Sequence, residues 1–227
     1  MPEWGIINDM NTLDSLALNI ELVLISIIEG VALSALAYGS IPVFQTEQNW
    51  QYIPFVFAGL AILVVFWMQA ILHAISFVHW PLSMPHMLSY FFAAFLQATA
   101  FYSITNGVAW YFWWTLFSAF VLGVYFIDLR MLDRAVPNFE KIPDGPAYIQ
   151  GVRRRHIFEM KYLVPLSILF NVVLLGLAVS GNSLFTGSTF WIVSGMVQFI
   201  VSFGALINCV QNFNERSQQV AILWGKN

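Results

Sequence analysis

Long, nearly uncharged apolar runs recur along this 227-residue chain, and they constrain its fold more than any other feature. A helix needs about 20 mostly apolar residues to cross the hydrocarbon core of a bilayer. Six stretches fit that demand: Ile20 to Phe44, Tyr52 to Val78, Pro85 to Ile104, Val108 to Ile127, Tyr162 to Val179 and Thr189 to Val210. The breaks between them read QTEQNWQ, WPLSMP, TNG, a long segment after Asp128, and SGNSLFTGS, and they carry turn chemistry. Backbone in hydrocarbon must satisfy its own hydrogen bonds, which leaves helices and closed barrels. Barrel strands are short and alternate in polarity, whereas these runs are long and continuously apolar. The sequence therefore predicts an all-α, polytopic membrane helical bundle of six transmembrane helices. Composition excludes the other classes. Only 9% of residues are charged, against about 25% in a soluble domain. The aromatic share of 17% is too high for a disordered chain. A net charge of -3 with no basic stripe offers no footprint for nucleic acid.

The placement of charge tests the span count. Of the nine Lys/Arg residues, Arg130, Arg134, Lys141, Arg153, Arg154, Arg155 and Lys161 surround the segment between spans four and five, and Arg216 and Lys226 follow span six. Six spans put the N-terminus, the 2–3 break, the 4–5 connection and the C-terminus on one side, which then holds every basic residue. Five or seven spans would divide them. The positive-inside rule makes that side cytoplasmic, with both termini on it. The expected organisation is a short acidic N-terminal segment over 1–19, transmembrane helices 1–4 over 20–127, a cytoplasmic basic loop over 128–161, helices 5–6 over 162–210, and a cytoplasmic tail over 211–227. The N-terminal stretch has no basic n-region and does not read as a cleavable signal. A bacterial inner membrane is the expected location.

Aromatic residues gather where the spans end. Trp50, Tyr52, Trp110, Tyr111, Trp113, Trp114, Phe190 and Trp191 fall at one set of ends and Trp80 at the other. Interfacial belts have this pattern; a WYFWW run could also neighbour a quinone or haem. Arg153, Arg154 and Arg155 just before span five read as a lipid-facing basic cluster that anchors topology, or as a regulatory lipid or partner site. Cys209, the single cysteine, lies in an apolar run and reads as a small buried residue.

An ionisable group in hydrocarbon is costly and marks a candidate site. Glu29 lies near the middle of span one, with Glu21 near its inner boundary on roughly the same face. Glu29 either lines a proton or cation pathway or hydrogen-bonds to an intramembrane polar network of Gln69, His73, Gln97, Asn171, Gln198 and Asn208. Ser26, Gly30 and Ser34 recur every four residues on span one. Small residues at that spacing let helices approach closely, or line a narrow pore around a symmetry axis. His73, His79 and His86 are six and seven residues apart. Helical metal-ligand pairs prefer i, i+3 or i+4, so no metal and no cofactor are expected. A hydrogen-bonding or pH-responsive role near the inner mouth remains open. No span contains Lys for a Schiff base, and no TVGYG filter, P-loop, Gly-x-Ser-x-Gly or His-Glu-x-x-His motif occurs. An enzyme is not favoured.

The stretch Ile27-Ile28-Glu29-Gly30-Val31-Ala32-Leu33-Ser34, six spans, and the basic residues before span five together resemble the bacterial relatives of the endosomal/lysosomal potassium channel. In that family a Phe-Ser-Asp motif precedes Gly-Val in span one. Here Glu29 stands for the aspartate, Gly30-Val31 match, and Ile27 and Ile28 replace Phe and Ser. Phe66-Trp67-Met68-Gln69 and His73 are similar to the family's Trp-containing span two. The resemblance implies a homo-oligomer whose first spans line a potassium pore, with Ser34 where the family has a narrowing isoleucine and Tyr38 one turn beyond.

The expected function is an oligomeric cation channel or proton/cation permeation protein. Helix 1 would line the path through Glu29, Ser26, Gly30, Ser34 and Tyr38. The alternative is a non-transporting membrane subunit or scaffold of a larger complex. Either way the partners are the lipid bilayer and other copies or subunits, not nucleic acid.

Overall fold

The structure, a computed structural model, describes residues 3–77, 84–139, 144–185 and 187–225. His79, Trp80, Lys141 and Lys226 lie outside the described residues. The described chain is helical, in the order α1 (Glu3–Gln45), α2 (Ile53–Phe77), α3 (Met84–Tyr102), α4 (Gly107–Phe139), α5 (Gly145–Phe158), α6 (Val164–Val179) and α7 (Ser188–Gly225), and no strand occurs among the described residues. Among the described residues, five segments are long and apolar enough to cross a membrane: Ser15–Gln45, Glu47–Ile75, Gly107–Arg134, Gly145–Val179 and Ser188–Val220. Helix α3, 19 residues long, is not among the five. It carries His86, Ser89 and Gln97, all buried. Much of the apolar surface faces outward. In Gly145–Val179 only 11% of the most apolar window is buried. Water would not tolerate so large an apolar surface, and the arrangement is compatible with an integral membrane protein.

Side-chain contacts give the helix directions. Leu36 meets Gly59, and Ile25 and Ile28 pack with Ala70 and Ala74, so α1 and α2 are antiparallel. Glu21 meets His86 at one end and Gly39 meets Phe101 at the other, so α1 and α3 are parallel. Phe101 packs on Trp110 while His86 faces Asp128, so α4 runs back along α3. Ser118 faces Ser167 and Tyr125 bonds Glu159, so α4 and α6 are antiparallel. Phe55 meets Gly195 and Val65 meets Cys209, so α7 runs parallel to α2. Cys209 is buried, as expected, and its thiol lies 3.8 Å from the Val65 carbonyl. Gly39 is required where it stands: a Cβ there would fall 2.1 Å from the Phe101 carbonyl oxygen.

Two expectations need correction. The segment 128–161 is not a loop. Helix α4 continues to Phe139, and α5 starts at Gly145. The Asp144-Gly145-Pro146 turn signal marks a break, not a long irregular stretch. Asp144 adopts φ 64°, a left-handed conformation that Asp tolerates, and proline fits the first turn of a helix. Leu132, Phe139, Tyr148, Ile149 and Val152 form a core of their own there. From α5 the chain passes through a π-helical turn, Glu159–Leu163, straight into α6. Pro165 explains the turn, because its ring has no N–H to donate and crowds the preceding turn. The residues from Glu3 onward likewise belong to α1 rather than to a separate segment.

The second correction concerns the aromatic belt. Tyr52, Trp110, Tyr111, Trp114 and Trp191 are buried, packed with Phe55 and Phe101 in the main hydrophobic core. Trp50 is exposed, and Trp113 and Phe190 are half-buried. A buried tryptophan needs an acceptor for its N–H, and Trp110 Nε1 donates to Gln198 Oε1 at 2.9 Å.

Candidate functional site

Alternating helix directions bring the middle of α1, the end of α2, the start of α3 and the second half of α4 to one level of the bundle. Each contributes one ionisable side chain there: Glu21, His73, His86 and Asp128. All four are buried. Burial removes most of the water that would solvate their charge.

His86 is the centre. Its Nδ1 lies 3.5 Å from Glu21 Oε1, and its Nε2 lies 3.1 Å from Asp128 Oδ1. The other oxygen of Asp128 stands 3.9 Å from His73 Nδ1. The two imidazole rings approach to 4.2 Å between centroids, and Tyr90 packs edge-on against His86. His86 thus stands within ion-pair reach of both carboxylates. Buried charge is tolerated only when paired or coordinating a metal, and two carboxylates here stand against two imidazoles. His73, His86 and Asp128 each offer one ligand atom, all within 4.8 Å of one another. These three residues could hold a metal ion.

A cavity of about 180 Å³ adjoins the cluster. His73 and Asp128 line it, as do Gln69, Tyr90, Tyr125, His156, Glu159 and Arg216. Its far wall is a second polar network. The Tyr125 hydroxyl donates to Glu159 Oε2 at 2.9 Å, and His156 Nε2 donates to the Tyr125 carbonyl at 2.9 Å while its ring stacks on the phenol. Arg155 donates to Glu159 Oε1 at 2.7 Å and to Asn212 Oδ1. The π-helical turn opens at Glu159, so it aims this carboxylate inward; such turns recur at functional sites.

The sequence-predicted residues divide into separate places. Glu29 is buried, and its Oε2 has no hydrogen-bond partner among the described residues. It lies two turns beyond Glu21 on the same face of α1. Ser26, Gly30, Ser34 and Tyr38 lie on the opposite, exposed face. The hydroxyls of Ser26 and Ser34 bond back to the carbonyls of Leu22 and Gly30, and a Cβ at Gly30 would meet nothing within 4 Å. Glu29 and the small-residue stripe therefore do not form one pathway within a single chain. Nor do the polar intramembrane residues form one network. Gln198 is paired to Trp110, Asn171 Nδ2 donates to its own helix at Ser167, and Asn208 accepts from Asn212. Gln97 is fully buried, with neither amide atom hydrogen-bonded among the described residues, and Gln69 lines the cavity. Arg153 and Arg154 are exposed, with Arg153 paired to Asp133 at 2.8 Å, while Arg155 turns inward. Asp128 was missed: in sequence it is the first residue of a polar segment. Matching ionisable residues by depth across alternating spans would have found it. The histidine spacing considered only pairs on one helix, whereas this group spans three.

No protein-family model, curated protein or solved structure matches the chain.

Proposed function

We propose that the protein is a six-span membrane protein that transports a cation, with the Glu21–His73–His86–Asp128 cluster as its ion-binding station. One observation carries this reading: four ionisable side chains from four helices converge, buried, beside a polar-walled cavity. Intramembrane carboxylates and histidines mark ion and proton pathways in transport proteins. Deeper in the bundle, Glu29 Oε2 and the Gln97 amide are buried without hydrogen-bond partners among the described residues, and each needs a water, an ion or a movement to satisfy it.

The sixth span is α3. It runs beside α1 from the Glu21–His86 contact to the Gly39–Phe101 contact. That stretch of α1 is about 27 Å long at 1.5 Å per residue, close to the thickness of a hydrocarbon core. Its polar groups lower its hydropathy, but they face inward. Six alternating crossings leave Arg130, Arg134, Arg153, Arg154, Arg155, Lys161 and Arg216 at the end that holds the cluster, which the positive-inside rule makes cytoplasmic.

The exposed stripe Ser26–Gly30–Ser34, with Tyr38, favours a role for α1 in assembly with a second copy or another membrane subunit. The test is flux into liposomes of purified protein. Asp128→Asn abolishes flux and Glu29→Gln slows it, while Arg154→Ala leaves it unchanged. Unchanged flux in a folded Asp128→Asn variant would sink the assignment.

A further inference from the structure

We propose that His73, His86 and Asp128 bind a divalent transition-metal ion of the zinc, cobalt or iron(II) type, with the Glu21 carboxylate orienting His86 from the far side of its ring. The proposal deepens the ion-station reading and rests on it for biological purpose, though not for its geometry.

Three observations converge. First, the donor set is selective. Two imidazoles and one carboxylate suit borderline metals; hard cations such as magnesium, calcium and potassium prefer all-oxygen shells. Two histidines and one carboxylate hold zinc in some hydrolases and iron(II) in non-haem oxygenases.

Second, the donors already stand at the spacing of ligands around one ion. His86 Nε2 and Asp128 Oδ1 are 3.1 Å apart. Tetrahedral ligands at about 2.0–2.1 Å from zinc are about 3.4 Å from each other. The three donor atoms lie within 4.8 Å of one another, so small side-chain rotations close the set.

Third, the arrangement behind the donors is that of a metal site. Metal-binding histidines usually present their other ring nitrogen to a carboxylate, which fixes the ring and its tautomer. His86 Nδ1 faces Glu21 Oε1 at 3.5 Å while Nε2 faces the site. Both residues are almost fully buried. Three protein ligands leave a fourth position, and the adjoining cavity, lined by His73 and Asp128, has room for water beside two of them. An open position lets the ion exchange, as a transported ion must.

The experiment titrates metal-free, detergent-purified protein with Co2+, read by visible absorption, and with Zn2+ in competition. The wild type is expected to bind one Co2+ per chain with tetrahedral-type absorption. Asp128→Asn and His73→Gln, near-isosteric so that the bundle folds, are expected to lose the signal. Glu21→Gln is expected to keep the signal but weaken binding about 10- to 100-fold, the usual cost of losing a carboxylate behind a metal-bound histidine. Glu29→Gln is expected to bind as the wild type does. Monodisperse elution and an unchanged helical circular dichroism spectrum establish that each variant is folded. No Co2+ binding by folded wild type overturns the proposal, as does equal binding by Asp128→Asn. Binding without flux in liposomes keeps the site and removes the transport reading. Flux lost in Asp128→Asn without metal binding by the wild type keeps transport and removes the metal.

Discussion

The two ends of the bundle are built from different chemistry. At the aromatic end, Tyr52, Phe55, Phe101, Trp110, Tyr111, Trp114 and Trp191 fill the space between helices, with ring centroids 5.3–6.5 Å apart across the Phe55, Trp110, Tyr111 and Trp191 contacts. At the basic end the interior holds Glu21, His73, His86, Asp128 and Glu159 beside a cavity. The first arrangement buries large area in rigid rings and closes the bundle. The second spends burial on groups that no close-packed core would choose. Buried ionic groups are poor stabilisers and are often replaced by apolar residues without loss. Their cost is tolerated where they do chemistry. Stability and function are thus expected to separate along the bundle axis, and substitutions can break or sharpen that separation.

The largest effect is expected from Trp110→Ala at the aromatic end. Deleting a fully buried tryptophan costs about 3–5 kcal/mol in soluble cores, and this one also leaves Gln198 Oε1 without its donor. The apparent melting temperature in detergent should fall by more than in any other variant named here, while Co2+ affinity of the fraction that remains folded stays unchanged. A loss of metal binding in that folded fraction would show that the two ends are coupled.

Next is Gly39→Ala. The added methyl meets the Phe101 carbonyl oxygen at 2.1 Å, which is backbone and cannot rotate away. Overpacking of this kind costs about 1–3 kcal/mol. It pushes α3 off α1 at the aromatic end, so melting temperature should drop clearly, with a smaller effect on the distant cluster. Gly59→Ala is the control, because its close neighbours are side chains of Phe101 and Leu36 that can shift.

Asp128→Asn should reverse the pattern. It removes charge from a buried cluster without changing volume, so the melting temperature is expected to change by less than in either variant above, and flux and Co2+ binding are lost. A large destabilisation instead would make Asp128 a structural link between His73 and His86.

This division explains what the chain betrays in one dimension. Membrane helices are visible as runs, because lipid demands apolar side chains over a fixed length. Ile20–Phe44 and Thr189–Val210 fall within helices of the structure for that reason. The aromatic core was mistaken for a belt because tryptophan suits either place. The packing of Trp110, Trp114 and Trp191 with Phe55 and Phe101 from other helices decides between them, with the Trp110–Gln198 hydrogen bond across 88 residues of sequence as one part of it. Helix α5 was hidden by Pro143, Gly145 and Pro146, residues that serve equally to begin a helix and to interrupt one. The cluster was the least legible part. Glu29 drew attention as a charge in mid-span, yet Glu21, His73, His86 and Asp128 each sit near a span end, where a polar residue is unremarkable. Only packing four helices side by side reveals that these ends coincide.

A smaller effect is expected at Gly30, on neither end's interior. A Cβ there meets nothing within 4 Å, and alanine favours helix over glycine by up to about 1 kcal/mol. In a lone chain Gly30→Ala should be neutral or slightly stabilising. If α1 packs on a second copy through Ser26, Gly30 and Ser34, bulk at this position weakens association instead. Gly30→Leu should then lower the mass measured by light scattering in detergent without changing the melting temperature of the protomer. An unchanged mass removes the stripe from assembly.

The smallest effect is expected for Arg153→Ala, and it bounds how far the basic end's chemistry extends. Arg153 and Asp133 form a 2.8 Å ion pair, but their side chains are 45% and 50% exposed. Exposed pairs are worth about 0.2–1 kcal/mol and are screened by salt. The substitution should move the melting temperature by little at low salt and by nothing measurable at high salt, with Co2+ binding intact. Arg155→Ala, one helical neighbourhood away, should differ on every count. Its partners Glu159 and Asn212 are buried, and its loss strands a carboxylate that lines the cavity. If the two arginines behave alike, the basic end is a solvated surface throughout; if only Arg155 matters, the functional interior begins at the cavity wall it helps to hold.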